Sequence, residues 1–262
     1  MPEFTHYAPG TFCWIDTGTT NAAASKAFYT ALFGWEAADG PTPDGGTYTM
    51  YTKDGKAVAG GSALAEPLKA MGVPSHWLSY ISVEDATATL HKVSEAGGTA
   101  MGPPIPIGEA GVMGVFTDPT GATCAVWQPG DHIGAGLANE PGSLIWNELL
   151  THDPGAAAAF YTAVFGWEHS KSEMPSGPYH LFMDGEEFRA GMMSITPEMG
   201  EMPPNWSVYL TVADIDGSVA EVGRLGGRVE GGIMDVPGVG RMAVAADPTG
   251  AYFMLMESAP TG

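Results

Sequence analysis

Two tryptophan–acid pairs are the first residues in the sequence whose types and spacing could do chemistry. Trp14 lies two residues before Asp16, and Trp146 lies two residues before Glu148. Alternate side chains of a strand share a face, so each acid would lie beside an indole ring. A carboxyl group in such a place has a raised pKa and could act as a general acid or base. It could equally pair with a ligand cation that the indole covers, or be a structural acid bonded to backbone or arginine.

Tyrosine hydroxyls accompany both pairs. Tyr80 and Tyr209 occupy matching places in later predicted strands, where a phenol could orient a ligand or transfer a proton. The four candidate catalytic residues are therefore Asp16, Glu148, Tyr80 and Tyr209. The alternative for the other residues on these predicted faces is ordinary packing of the sheet, because methionine and aromatic side chains often fill cores. The candidate ligand-binding residues are Trp14, Trp146, Trp127, Tyr48, Tyr179, Leu78, Ser207, Met254 and Met256.

The elements that must position these residues occur twice. The sequence FYTALFGW at 28–35 returns as FYTAVFGW at 160–167, and Asp-Pro-Thr-Gly at 118–121 returns at 247–250. Phenylalanine, tyrosine and leucine at helical spacing predict a packed helix, and Asp-Pro-Thr-Gly is typical of a tight turn between strands. Since both motifs return in the same order, the chain is predicted to be a duplication rather than one large barrel.

The repeat divides the 262 residues into two domains of common size. We predict domain 1 at residues 1–130, a linker at 131–142 that is rich in Gly, Pro and Ala, and domain 2 at 143–262. Within each copy, a strand, a helix and further strands follow one another twice. The first helices begin after a capping side chain, Asn21 or Asp153, and end at a glycine.

This succession of elements resembles the glyoxalase/bleomycin resistance/extradiol dioxygenase superfamily, which has the vicinal oxygen chelate fold. The resemblance covers nearly the whole chain, twice, and is greatest to a tandem-domain actinobacterial group that includes a mycobacterial culture-filtrate antigen. It implies an α+β fold of tandem glyoxalase-like domains, each a pair of βαβββ units forming a curved mixed sheet around a cleft. The cleft of such proteins holds a small-molecule ligand and often a divalent metal.

The resemblance also implies where metal ligands would lie, and the sequence departs from the family there. Family members place His, Gln or Glu at three strand positions in each domain. None of the residues at these positions carries the imidazole or carboxylate donors that divalent ions take. We therefore expect no metal and no other cofactor, although His76 and Glu257 lie near enough that a shifted alignment would restore a ligand. The six aligned residues are Trp14, Leu78, Ala125, Trp146, Ser207 and Met254.

Two functions of different classes fit these residues. One is a binding protein that takes a small aromatic or cationic metabolite or antibiotic into an aromatic- and acid-lined cleft without a metal. The other is a metal-independent lyase, isomerase or tailoring enzyme of secondary metabolism that uses Asp16 or Glu148 with Tyr80 or Tyr209. A role in protein interaction rests only on the mycobacterial relatives. Whether the protein is an enzyme, and which cleft is active, stay open.

Composition narrows the expected partners. The 10 Lys and Arg face 30 Asp and Glu, a net charge of −20, which excludes nucleic acid, disfavours anionic membranes and favours cationic small molecules. Without a long apolar run or a signal segment, the protein is expected in the cytoplasm. Cys13 and Cys124 are expected as buried thiols, the first on the helix side of its strand. A monomer is expected because the repeat supplies both halves, and a dimer stays open.

Overall fold

The computed structural model describes residues 4–42, 45–174 and 177–259. The residues 1–3 and 260–262 at the predicted domain limits lie outside this range. The elements of domain 1 are β1 (Phe12–Thr19), α1 (Ala22–Phe33), β2 (Glu36–Pro41), β3 (Thr47–Lys53), β4 (Lys56–Ala63), α2 (Glu66–Ala70), β5 (His76–Ser82), α3 (Ala86–Glu95), β6 (Thr99–Ala100), β7 (Ile105–Pro106), β8 (Gly111–Thr117) and β9 (Thr123–Pro129). The elements of domain 2 are β10 (Leu144–Thr151), α4 (Pro154–Phe165), β11 (Glu168–Met174), β12 (Gly177–Asp184), β13 (Glu187–Ser194), a 3-10 turn (Pro197–Met199), β14 (Asn205–Thr211), α5 (Ile215–Arg224), β15 (Arg228–Val236), β16 (Gly240–Ala246) and β17 (Tyr252–Ser258).

Each copy of the repeat forms one mixed sheet. The strand order is β2-β3-β4-β1-β5-β9-β8-β6 in domain 1, where β7 also pairs with β8, and β11-β12-β13-β10-β14-β17-β16-β15 in domain 2. The two halves of each sheet meet at an antiparallel pair, β1 with β5 or β10 with β14. The outer neighbours of these strands, β4 and β9 in domain 1, run parallel to them. The prediction of a tandem α+β fold with paired βαβββ units is thus confirmed.

The first helix of each copy begins and ends where the sequence predicts. The Asn21 side chain accepts a hydrogen bond from the third residue of the α1 segment, and Asp153 does the same for α4. Pro154 occupies the first helical position, where its missing N–H costs nothing. Gly34 and Gly166 end the two helices in the left-handed region, with φ of 67° and 74°. The local sequence therefore determines both helices.

The apolar cores join the two domains. Phe160 of α4 packs against Phe116 of β8, with ring centroids 5.9 Å apart, although these residues belong to different copies. Phe28 of α1 packs in the same way against Phe253 of β17 at 6.1 Å. Each core therefore combines the first helix of one domain with the second half of the other. The helices lie between the two sheets, and the opposite face of each sheet, here called the cleft face, points away from them.

A polar junction at Asp118, the first residue of the Asp-Pro-Thr-Gly turn, ties the domains together. One carboxylate oxygen of Asp118 accepts hydrogen bonds from the backbone N–H groups of its own turn, including Thr120 at 2.8 Å. The other oxygen accepts the hydroxyl of Tyr161 in domain 2 at 3.0 Å. The same hydroxyl accepts the indole N–H of Trp206 at 2.7 Å. The residues that repeat most clearly in the sequence are therefore residues of the domain interface.

The other half of the interface follows the same plan. The indole N–H of Trp77 donates to the Tyr29 hydroxyl at 3.0 Å. Burial, followed by the nearby Asp247 carboxylate, raises the pKa of Tyr29. Trp35 and Trp167, which end the repeated octapeptides, donate their N–H groups to backbone carbonyls outside their own helices, at 2.8 and 2.9 Å. The repeated residues of both copies therefore hold the two domains together.

One expectation about β1 is wrong. The pairing of β1 with β5 shifts register between Phe12 and Trp14, as a β-bulge does. This shift places Cys13 on the cleft face with Trp14 instead of on the helix side. Both cysteines are buried free thiols, as expected, and the thiol of Cys13 lies 3.6 Å from the carbonyl oxygen of Tyr80. Strand alternation alone does not reveal such a bulge.

Removing the hydroxyl of Tyr161 should destabilise the whole chain. The Tyr161→Phe change leaves one oxygen of Asp118 and the N–H of Trp206 buried without partners. We expect the free energy of unfolding to fall by about 2–4 kcal/mol, measured by urea denaturation. Tyr252→Phe is the control, because its hydroxyl bonds to exposed Arg228 and its loss should cost less than about 0.5 kcal/mol. Equal losses in both variants would contradict this role of the junction.

Candidate functional site

The cleft face of domain 1 brings the predicted acid and tyrosines together. The hydroxyl of Tyr80 on β5 donates to Oδ2 of Asp16 on β1 at 2.9 Å, and the hydroxyl of Tyr48 on β3 donates to the same oxygen at 3.2 Å. The indole N–H of Trp14 donates to the Tyr48 hydroxyl at 2.9 Å. Leu78 is the cross-strand partner of Asp16 on β5. Five candidate residues from three strands therefore form one cluster around a carboxyl group.

Domain 2 repeats this arrangement around Glu148. The hydroxyl of Tyr209 on β14 donates to Oε1 of Glu148 at 2.7 Å. The indole N–H of Trp146 donates to the Tyr179 hydroxyl at 3.3 Å, and Tyr179 also interacts with the carboxyl group. Ser207 is the cross-strand partner of Glu148, and its hydroxyl bonds to a neighbouring side chain. The equivalent positions of the two domains thus make the same kinds of contact around a carboxyl group.

Burial makes both carboxyl groups weaker acids. It raises the pKa of Asp16 from 3.8 to about 6, against the opposing hydrogen bonds from Tyr80 and Tyr48 and the nearby His76. Burial also raises the pKa of Glu148, opposed by Tyr209 and Tyr179. Desolvation disfavours the charged form of an acid, whereas donated hydrogen bonds favour it. Asp16 is therefore held where it can change charge near neutral pH, and the pKa of Glu148 is shifted in the same direction.

Two glycines that sequence reasoning missed make room for the tyrosines. A Cβ atom at Gly60 on β4 would collide with the Tyr48 hydroxyl, and one at Gly191 on β13 would collide with the Tyr179 hydroxyl. Only a residue without a side chain lets each phenol cross its neighbouring strand to the acid. The spacing of 12 residues from tyrosine to glycine is the same in both copies, and this repeat is a signal that could have identified them.

The remaining candidates also lie on the cleft faces. Trp127 belongs to the apolar cluster around Trp14, and its N–H donates to the backbone oxygen of His132 at 2.7 Å. Met254 and Met256 form the corresponding cluster with Tyr209 in domain 2. His132, which no sequence pattern singled out, comes from the segment predicted as the linker. Its ring packs on both Trp14 and Trp127.

The donors at the family's metal positions do not fit a divalent ion. In domain 1 these positions hold an indole, an isobutyl and a methyl side chain at Trp14, Leu78 and Ala125, and imidazole or carboxylate is what such ions take. Within the described ranges, no group of three or more His, Cys, Asp or Glu residues could hold a metal. Glu257 is committed elsewhere, because its carboxylate accepts the backbone N–H of Ile215 at the start of α5 at 2.8 Å.

Filling the space at Gly60 should release Tyr48 from Asp16. The Gly60→Ala change forces the phenol away, so Asp16 loses a hydrogen bond that favours its charged form. We expect the pKa of Asp16 to rise above about 6, measured by NMR titration of the carboxyl carbon, and stability to fall by about 1–3 kcal/mol. Gly40→Ala is the control, since a Cβ there meets no atom within 4 Å. An unchanged pKa in Gly60→Ala would refute the contact.

The raised pKa of Asp16 should make stability fall as pH rises. The folded protein keeps this proton up to pH of about 6, whereas the unfolded chain releases it near 3.8. Relative to Asp16→Asn, the wild-type free energy of unfolding should therefore fall by about 2 kcal/mol between pH 4 and pH 7. Urea denaturation at each pH measures it, and Glu148 cancels because both proteins contain it. A difference that is constant or grows with pH would exclude the shift.

Comparison with known proteins agrees with this architecture. The chain matches the family described as the Glyoxalase/Bleomycin resistance protein/Dioxygenase superfamily over residues 12–126 and 143–255. "Putative glyoxylase CFP32" of Mycobacterium bovis is 45% identical over 262 residues, 99% of each chain. "Anthracycline biosynthesis protein DnrV" of Streptomyces peucetius is 36% identical over 263 residues, 97% of this chain and 95% of the other.

Solved structures show the same fold at low sequence identity. The Mn(II)-bound glyoxalase from Novosphingobium aromaticivorans superposes with a TM-score of 0.66 at 15% identity, covering 95% of this chain and 82% of that chain. At this identity the likeness extends to the fold alone. The resemblance noted in the sequence is thereby confirmed, twice along the chain.

Proposed function

The chain belongs to the glyoxalase/bleomycin resistance protein/dioxygenase superfamily, and from this premise we propose that it binds a small planar aromatic metabolite on a cleft face without a metal. The ligand carries hydroxyl groups or a positive charge. The observation that carries the proposal is the carboxyl group bonded by tyrosine in both domains, which lies beside the family's metal positions. A carboxyl group and an indole together suit a ring with polar substituents.

Asp16 has one oxygen that is free on the cleft face of domain 1. Both tyrosine hydroxyls donate to Oδ2, and no described residue donates a hydrogen bond to Oδ1. Asp16 is only partly buried, so Oδ1 is within reach of a ligand hydroxyl or ammonium group. Hydrogen bonds to a charged group are the stronger ones, which favours recognition here. The net charge of −20 adds a general attraction for cations.

The relatives support the aromatic part of the proposal. One of them is named for anthracycline biosynthesis, and anthracyclines contain a planar, hydroxylated aromatic ring system. Trp146 is only partly buried on the cleft face of domain 2, so its indole can stack on such a ring. Met254 and Met256 next to it provide an adaptable apolar floor.

A second candidate is a metal-independent lyase, isomerase or tailoring enzyme. The observation that favours it is the pKa of Asp16, raised to about 6, which suits proton transfer at neutral pH. The carboxylate would take a proton from the ligand at Oδ1, and Tyr80 would stabilise the carboxylate from the other side. In domain 2, Glu148 would accept the proton and Tyr209 would stabilise its carboxylate.

The proposed partners follow from composition and thiol state. We place the protein in the cytoplasm as a monomer that binds neither nucleic acid nor membrane. Its excess of acids repels phosphates, and its two thiols are free. Among the described residues, no helix has the length and apolar character needed to span a membrane.

The proposal is tested with 1,4-dihydroxyanthraquinone, a planar hydroxylated aromatic probe. We expect the wild type to bind it, measured by calorimetry and quenching of tryptophan fluorescence. The Asp16→Asn/Glu148→Gln double variant should bind at least tenfold more weakly, about 1.4 kcal/mol, because it cannot supply a carboxylate acceptor. Glu84→Gln removes an exposed acid and should bind like the wild type.

Two results decide between the candidate functions. The binding proposal would be refuted if the wild type did not bind the probe, or if the double variant bound it with equal affinity. Recovery of unchanged probe after incubation, analysed by mass spectrometry, favours the binding protein. A product that forms with wild type and not with the double variant favours the enzyme.

A further inference from the structure

The segment that joins the two domains crosses the cleft face of domain 1. Its backbone N–H at His132 donates to the carbonyl of Ala110 at 3.1 Å. Three residues later, Ala135 donates to the carbonyl of Cys13 on β1 at 2.8 Å, and Gly136 donates to the carbonyl of Ala57 on β4 at 2.8 Å. The segment is therefore hydrogen-bonded to the loop before β8 in one half of the sheet and to β1 and β4 in the other half. Between these points it lies over strands that carry the acid cluster.

His132 occupies the aromatic part of this cleft. Its ring meets Trp14 edge to face, with centroids 4.6 Å apart and an interplanar angle of 88°. The same ring lies 5.8 Å from the ring of Trp127, whose N–H is bonded to the His132 carbonyl. The two indoles are left only 4% and 6% exposed. A flat heteroaromatic ring of the chain itself thus fills the space between the two tryptophans.

The imidazole is an imperfect occupant. Its Nε2 atom is buried and has no hydrogen-bond partner among the described residues. A buried polar atom without a partner costs about 1–3 kcal/mol, so a purely apolar ring would fill this space at lower cost. Burial lowers the pKa of His132, which keeps the ring neutral. Packing alone therefore does not account for a histidine between these indoles.

Domain 2 has no such occupant among its described residues. Its apolar cleft-face cluster consists only of side chains of its own sheet, with Trp146 and Met242 partly exposed. The strand β17, which corresponds to β9, ends at Ser258, and the N–H of Ala259 donates to the carbonyl of Val239, just as Gly130 donates to Ala110 in domain 1. Trp146 is thus partly exposed within the described part of the chain, whereas Trp14 is covered.

We propose that His132 is a built-in occupant of the domain 1 cleft, so that aromatic ligands bind only at Trp146 in domain 2. The selection of one cleft rests on the proposed function, whereas the occupancy by His132 does not. The carboxyl of Asp16 keeps its partial access, so domain 1 retains a polar site without an aromatic wall. One aromatic ligand per chain is the consequence.

Free imidazole tests the occupancy directly. His132→Ala leaves a space of the shape of the missing ring between two indoles, and such spaces bind matching small molecules. We expect this variant to bind one imidazole per chain with a change in tryptophan fluorescence, and the wild type to bind none. His91→Ala, which removes an exposed histidine of α3, should behave like the wild type. No imidazole binding by folded His132→Ala would overturn the occupancy.

His132→Phe keeps the test decisive if the alanine variant does not fold. The phenyl ring refills the space without a polar atom, so this variant should fold at least as stably as the wild type and bind no imidazole. A marked loss of stability in His132→Phe would overturn the inference, because it would show that Nε2 makes a contact that the fold requires.

The stoichiometry of 1,4-dihydroxyanthraquinone tests the choice of cleft. We expect one site per chain in the wild type, none in Trp146→Ala and two in His132→Ala. Two sites in the wild type, or one that survives in Trp146→Ala, would overturn the inference and leave the proposed function standing. No binding by the wild type would overturn the proposed function and with it the choice of cleft, while the imidazole experiment still decides the occupancy.

Discussion

The hydrogen bond from Tyr161 to Asp118 is the contact on which the rest of the structure depends. It joins a helix of one domain to a turn of the other. In the counterpart of this contact, Tyr29 of α1 lies beside the carboxylate of Asp247 in the second Asp-Pro-Thr-Gly turn. These junctions hold the helices between the two sheets, where the apolar cores merge. Since the helices cover one face of each sheet, the other face is left for the acid clusters. The position of both candidate sites thus follows from contacts on the opposite, helix-covered faces of the sheets.

On the cleft faces, burial and hydrogen bonding act against each other. Burial alone would keep a carboxyl group neutral, and tyrosine hydroxyls alone would keep it charged. For Asp16 the balance gives a pKa of about 6. Glycine at 60 and 191 permits this balance because it admits the second phenol. The raised pKa of the acid is therefore a property of the whole cluster, built from three strands, rather than of the acid itself.

Much of this architecture was predictable from the sequence, for identifiable physical reasons. Caps such as Asn21 and Asp153 act within one helical turn, and strand alternation correctly placed Trp14 with Asp16. The repeat then linked Tyr80 and Tyr209 to equivalent acids. By contrast, the bulge that turns Cys13, the exchange of cores between domains and the contact of His132 depend on residues distant in sequence. No local pattern encodes them, because each is decided by which surfaces meet after the sheets have formed.

The linker has a consequence for symmetry. The reciprocal junctions relate the two domains as the subunits of a two-fold dimer are related, and a covalent connection makes their association independent of concentration. A single connection cannot be symmetric about the two-fold axis, however, because it runs from the last strand of domain 1 to the first strand of domain 2. It passes over the cleft of domain 1, and no residue that the structure describes crosses the cleft of domain 2 in the same way. Joining two equal halves into one chain thus made them unequal, and the difference lies where ligands would enter.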